Sequence, residues 1–509
     1  MHRKLFLNSL SGTALYVVNI AVAFFLSPIL LRALGNGAYG LWELIMSVVG
    51  YMGLLDLGIG SAMVRYVAVA DASQDRDELA GIMSTSLAFF SAVGCIAFAL
   101  FVFLGFFPAV IVGENAPQID NMNILFYIFA LNAIFLFPMQ VFLSVLLGVQ
   151  CHYFINFTRI VFIVIKSLII YFYIYSYKTN VLVFISTVEF VYTFISFFAF
   201  YLFMSSKKDI PKLSFRHVSK KQFNNLFVFG SKNLVMMAAS RLQNQSVPLI
   251  IARILGVGSI VYYAFPNRLV EYAKGLSAAV GYPLTAYFSS AVGRGESGEL
   301  RRNWLEITFI LQAIMFIMPV MLWYYGEVFL NLWIGQEYAV AGRWVLKLLV
   351  IGLIADTLAV NGFRILTAQA NHGKCALVWL LMAVFSIPAG VIGGKVWGLE
   401  GVALGVILAS VAGNLATLAL ACASLRITLG EYLRGTCYRL LSPLVLINVY
   451  CGLLSIFHHV TSFLVLFFHV ATVVFLYGLL LWVCSIDRPM KAKITEQIQA
   501  RIVNKFKKW

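Results

Sequence analysis

Residues 252–276 read ARILGVGSIVYYAFPNRLVEYAKGL. The stretch opens on a glycine-rich turn, Arg253-Ile-Leu255-Gly256-Val-Gly258, and runs into an apolar segment that carries Arg268, Glu271 and Lys274 at spacings of three. The turn has an echo in the first tenth of the chain, Arg32-Ala-Leu34-Gly35-Asn-Gly37. Each copy closes one long apolar segment and opens the next. Six apolar segments separate the two copies. An even separation places both turns on one side of whatever the segments cross, so the chain reads as two halves in parallel repeat.

The composition says what they cross. Of 509 residues, 61% are hydrophobic and only 11% are charged, and the mean hydropathy is +0.90. A water-soluble core needs far less apolar surface, so the chain is read as an all-helical polytopic membrane protein. Runs of about 20 apolar residues suit a spanning helix. Such runs lie near 8–31, 40–62, 80–107, 120–148, 155–175, 181–204, 225–254, 258–290, 303–325, 340–366, 375–394, 400–423, 438–457 and 462–484, which makes fourteen. The first begins with basic residues as a signal peptide does. Its apolar stretch is too long for one and no A-x-A-like site follows, so it reads as an uncleaved spanning helix.

Net charge is +16. There is no basic soluble domain to meet nucleic acid, and the loops account for the charge instead. One alternating set holds Arg3, Lys4, Arg65, Arg76, Arg159, the cluster Lys207 to Lys221, Arg294, Arg301, Arg302, Lys374, Arg426, Arg434, Arg439 and the tail from Arg488. The other holds Arg32, Lys178, Arg253, Arg343 and Lys395. Basic loops face the cytoplasm, which puts both termini there and requires an even number of spans. The seven cysteines are scattered, with no C-x-x-C and no pairing pattern.

The longest polar interruption, SSKKDIPKLSFRHVSKKQF, divides the chain. The expected organisation is an N-lobe of six helices at 1–206, a basic linker at 207–224, a second six-helix lobe at 225–423, two further helices at 424–486 and a basic cytoplasmic helix at 487–509. In that last segment Ile494, Ile498, Ile502 and Phe506 share a face, the pattern of a helix lying on anionic lipid.

Residues 30–68, LLRALGNGAYGLWELIMSVVGYMGLLDLGIGSAMVRYVA, resemble the opening of polysaccharide flippases of the PST type, in the multidrug/oligosaccharidyl-lipid/polysaccharide (MOP) exporter superfamily. L-G-x-x-x-Y-G-L, then L-D-L-G, then a Gly/Ser-Ala followed by R-Y carry the likeness. Residues 252–276 with YGEVFLNLWIGQEYAVAGRWVLKLL resemble the second half, and GKVWGLEGVALG resembles the start of its twelfth helix. The resemblance implies two six-helix bundles around a central cavity, two added C-terminal helices and alternating access in a bacterial inner membrane. It implies a polyprenyl-pyrophosphate oligosaccharide such as an O-antigen unit as substrate, membrane lipids as surroundings, and a polysaccharide polymerase and chain-length regulator as partners. It implies no cofactor and leaves the coupling ion, proton or sodium, open. The chain departs from many relatives at Asn244-Gln-Ser-Val-Pro248, where they carry an acidic residue, so no cation site is carried over to that position.

Ionisable residues inside a spanning helix normally face a cavity or a partner. At about 1.5 Å per residue, Arg268 lies roughly 15 to 18 Å along the eighth helix and Lys274 about 9 Å further. Lys166, Lys232 and Arg241 are comparably placed in the fifth and seventh helices, and Asp56, Glu189, Glu271 and Asp356 are the acids. Two accounts compete for the Arg268, Glu271 and Lys274 set. Glu271 neutralises its neighbours on the helix, or one acid cannot balance all the cations and an excess remains to attract pyrophosphate, with Arg as fork and Lys as point charge. Asp56 stands before Gly58 and Gly60, where it satisfies backbone donors, or pairs with Arg65, or serves transport. Glu189, more isolated, is placed to exchange a proton. Arg32, Gly35, Arg253 and Gly256 are read as turn residues.

Other motifs carry less. Asp75-Arg-Asp77 is a D-x-D, but in a short charged loop it reads as a solvated helix start. His458, His459 and His469 lack further ligands and read as interfacial, and without a P-loop the chain is not expected to hydrolyse ATP. Two other functions stay in view. A multidrug exporter of the same superfamily would favour an acidic cavity for cationic drugs, and a membrane polymerase or glycosyltransferase would present a sizeable catalytic loop.

Overall fold

The computed structural model describes residues 2–113, 121–177, 179–294, 297–457, 460–487 and 491. Among them every regular element is helical and there is no strand. In hydrocarbon each backbone N–H and C=O must be satisfied within its own segment, and the helix does that. Among the described residues ten helices are long and apolar enough to cross a membrane. Two of these, Leu10–Asp56 and Gly373–Ser424, each take in two of the expected spans. The two expected spans outside the ten are helical as Lys220–Leu255 and Ile260–Gly293. Lys178, His458, His459 and the expected amphipathic face of the tail, Ile494 to Phe506, lie outside the described residues.

The described chain divides into two compact units. Met1–Ala264 with Trp379–Val406 forms the first, and Phe265–Val378 with Ile407–Trp509 the second.

In the first unit Arg76–Phe106, Met122–Gly148 and Val181–Ser205 pack side by side. Phe101, Phe126, Phe129 and Phe142 are buried there, and Phe135 meets Phe194 edge to face at 5.1 Å. Asp75 caps the first of these helices, accepting from the Glu78 backbone N–H at 2.8 Å, which is the solvated helix start read from the sequence.

The two glycine-rich turns meet inside this unit. Gly35 (φ 69°, ψ 175°) divides His2–Met52, and Gly256 (φ 87°, ψ 155°) ends Lys220–Leu255. Both sit at positive φ, which a side chain resists and glycine does not. The Asn36 side-chain N–H donates to the Tyr262 hydroxyl at 3.0 Å across them. Further along, Gly58 and Gly230 bring two backbones together so closely that a Cβ on either would strike the other's main chain. Small residues let spanning helices approach this way.

In the second unit Ile317–Ile334, Cys437–Phe457 and Phe463–Leu480 enclose Tyr325, Ile447, Val473 and Tyr477. Trp304 on Ser297–Met315 and Tyr432 on Leu429–Gly435 are fully buried, their rings 5.5 Å apart. The expected single span 340–366 is broken. Helix Arg343–Leu358 stops, and Gly362–Ala368 resumes after a short non-helical link.

Candidate functional site

Spacing of three puts Arg268, Glu271 and Lys274 on one side of helix Ile260–Gly293. The Lys274 ammonium lies 3.3 Å from Glu271 Oε1 and 3.2 Å from Asp356 Oδ2. Asp356 comes from helix Arg343–Leu358 and also accepts from the Asn414 amide. Lys274 is thus held between two carboxylates, one of them from a distant part of the sequence. The Arg268 guanidinium stacks beside Phe265, its carbon 5.4 Å from the ring centroid. Two cations and two acids make this group neutral overall. The Lys274 side chain keeps 38% of its surface uncovered by other protein atoms.

The break in the span brings in a residue that the sequence reading passed over, Arg364. Where helix Arg343–Leu358 ends, carbonyls lose their intrahelical donors, and side chains replace them. Leu358 O accepts from Gln312 at 3.1 Å and from the Tyr432 hydroxyl. Asn361 O accepts from the Trp304 indole at 3.4 Å. Trp304, Thr308 and Gln312 stand four apart on one helix, so a single face serves the whole break, with Thr308 accepting from the Asn361 amide at 3.1 Å.

Arg364 completes the arrangement. Its guanidinium donates to Val360 O, to Asn361 Oδ1 at 3.1 Å and to Ser277 O at 3.3 Å. All three partners are neutral, and among the described residues Arg364 forms no ion pair. Gly281 makes room, because a Cβ there would collide with the guanidinium. Ser277 follows Lys274 by one helical turn. Arg364 thus joins Arg268 and Lys274 as a third cation beside Glu271 and Asp356 among the described residues. The signal was present in the sequence, since Asn361-Gly362 is a turn dipeptide inside an apolar run.

In the first unit the remaining charges are spread out. Lys166 pairs with Glu189 at 2.5 Å and lies 5.1 Å from the centre of the Tyr192 ring. Asp56 accepts from the Gly60 backbone N–H at 2.7 Å, the backbone role foreseen for it. The Arg241 guanidinium lies against Gly53, three residues before Asp56. Arg65 stacks on Phe229 instead, at 4.5 Å. Lys232 sits on helix Lys220–Leu255, and its side chain lies outside the described residues. Arg32 and Arg253 are exposed beside their turns. Among the described side chains of this unit, Lys166 and Arg241 stand against different neighbours, Glu189 and Gly53.

Comparison with known proteins fits this picture. No family model matches the sequence. The chain is similar to a putative O-antigen transporter of Shigella flexneri, 22% identical over 370 residues, which span 71% of this chain and 84% of that protein. In structure it is similar to the lipid II flippase MurJ in an inward closed conformation, with a TM-score of 0.71 at 16% identity over 93% of this chain and 97% of that one. It is also similar to a multidrug resistance MATE family transporter of the MOP superfamily in an inward-facing conformation. There the TM-score is 0.64 at 13% identity, covering 81% of this chain and 94% of the other. The chain thus has the fold of these membrane transporters and is similar in sequence to a transporter.

Proposed function

We propose that the chain carries a polyprenyl-pyrophosphate oligosaccharide, such as an O-antigen unit, from the cytoplasmic to the periplasmic face of a bacterial inner membrane by alternating access. The observation that carries the reading is Arg364. An always-charged fork is fixed at a broken spanning helix with carbonyls for partners and no acid among the described residues. Discontinuous spanning helices commonly build transporter binding sites, where irregular backbone lines a cavity. A pyrophosphate is the complement of such a guanidinium, which binds it bidentately. The similarity to an O-antigen transporter supports the same substrate class.

Lys274, Arg268, Arg241, Lys232 and Lys166 are the other cations proposed for substrate binding, and Glu271 and Asp356 hold Lys274 in place. Glu189 and Asp56 are the acids proposed for ion coupling. Both termini are proposed to be cytoplasmic, on the asymmetry of basic loops. A polymerase and chain-length regulator would take up the product.

The test is Arg364→Gln in a strain whose surface polysaccharide depends on this chain. Loss of surface polysaccharide with lipid-linked units accumulating inside, at normal protein level, is the expected result. Undiminished polysaccharide would overturn the assignment. Export of drug cations by proteoliposomes that do not move lipid-linked sugar would favour the multidrug reading instead.

A further inference from the structure

The polarity of helix Lys220–Leu255 peaks at Ser240-Arg241-Leu242-Gln243-Asn244-Gln245-Ser246, where only Leu242 is apolar. At about 1.5 Å per residue, Asn244 lies about 16 Å from the glycine turn that ends the helix, half the depth of a hydrocarbon core about 30 Å thick. Three of these residues have neighbours within the first unit. The Arg241 guanidinium lies against Gly53, Gln245 O accepts from the Ser47 hydroxyl, and the Ser246 hydroxyl meets that of Tyr51. Ser240 and Asn244, one helical turn apart, are instead exposed. The Asn244 amide reaches the Ser240 hydroxyl only at 3.5 Å, and among the described residues no donor serves Asn244 Oδ1. Pro248 adds a third group, because it has no N–H to give the Asn244 carbonyl four residues before it.

Hydrocarbon satisfies none of these groups, so at mid-helix they call for a polar ligand or water. Charge and hydrogen-bonding type choose among ligands. The helix has no acid in its sequence and carries Arg241 next to Ser240, which disfavours a cation. The Asn244 carboxamide oxygen and the freed carbonyl are acceptors, which disfavours an anion. A neutral hydroxyl both donates and accepts, and so matches a carboxamide, a carbonyl and a serine together. We infer that Ser240 and Asn244 bind neutral sugar hydroxyls of the transported lipid and so favour lipid that carries its glycan over bare lipid pyrophosphate. This inference rests on the lipid-linked substrate proposed above and adds the groups that read its sugar.

The probes are the polyprenyl-pyrophosphate repeat unit extracted from a strain depleted of this chain, and the same polyprenyl pyrophosphate without sugar. Full-length protein in lipid nanodiscs is titrated with each. The wild type is expected to bind the sugar-bearing lipid about tenfold more tightly than the bare one, the yield of one or two net hydrogen bonds. Asn244→Leu should bring that ratio below about threefold while binding of the bare lipid stays within about twofold, since only the sugar contacts are lost. Ser240→Ala combined with Asn244→Ala replaces that variant where it does not fold. An unchanged ratio in the variant, or a wild type that binds both lipids equally, overturns the inference and leaves the proposed substrate standing. A wild type that binds neither lipid overturns both.

Discussion

Lys274 and Asp356 meet at 3.2 Å, from helices that the sequence holds far apart. Glu271, one turn away on the same helix as Lys274, reaches it at 3.3 Å. The long-range partner is thus at least as close as the local one, and it ties Ile260–Gly293 to Arg343–Leu358 within the second unit. A double-mutant cycle of Lys274→Met and Asp356→Asn, read by thermal unfolding in detergent, should give a coupling of about 1 kcal/mol. The value stays small because Lys274 is 38% exposed. Strict additivity of the two substitutions would show that the contact contributes nothing.

Arg364→Lys keeps the charge and loses the fork. The guanidinium satisfies Val360 O, Asn361 Oδ1 and Ser277 O together, an arrangement that an ammonium on a flexible stem does not reproduce. The expected result is a loss of about 1–3 kcal/mol in stability as these acceptors are left short of donors. Transport should fall as well, although net charge is unchanged. Wild-type melting and transport in Arg364→Lys would mean that charge alone matters at this position.

Much of this architecture is legible in the sequence because it rests on local signals. Apolar runs mark the spans, and the repeated turn around Gly35 and Gly256 appears as two glycines in one backbone conformation. The acids that hold the cations were legible only as residue types. Asp356 and Glu189 reach Lys274 and Lys166 from other helices, and which helix faces which is a packing outcome that no local pattern encodes. Arg364 escaped for another reason. Hydropathy averages over a window, so 340–366 reads as one helix even though Asn361-Gly362 interrupts it.

Gly58 and Gly230 approach so closely that neither position has space for a Cβ. Overpacking of this kind typically costs about 1–3 kcal/mol, and Gly58 adds a positive φ of 78°. Gly58→Ala and Gly230→Ala should each lower the melting temperature. Gly478→Ala is the control. Gly478 is exposed on helix Phe463–Leu480 with nothing near its missing Cβ, so alanine there should be neutral or stabilising by up to about 1 kcal/mol through helix propensity. Equal effects at all three positions would mean that close approach is not what the glycines provide.

Tyr432 offers a pH test outside the spanning helices. Its hydroxyl donates to Leu358 O and accepts from Gln312 at 2.7 Å, and burial pushes its pKa well above the ordinary phenol value. In the unfolded chain the phenol ionises near pH 10, while in the folded protein it stays protonated beyond that. Above about pH 10 the folded state therefore binds more protons than the unfolded one, and stability falls as pH rises. Below pH 10 this group makes stability neither rise nor fall with pH. Tyr432→Phe should cost about 1–3 kcal/mol at neutral pH, because Gln312 and Leu358 lose a buried partner. The same variant should soften the alkaline decline, measured as melting temperature from pH 9 to 11. An unchanged alkaline slope would show that Tyr432 is not the group that resists ionisation.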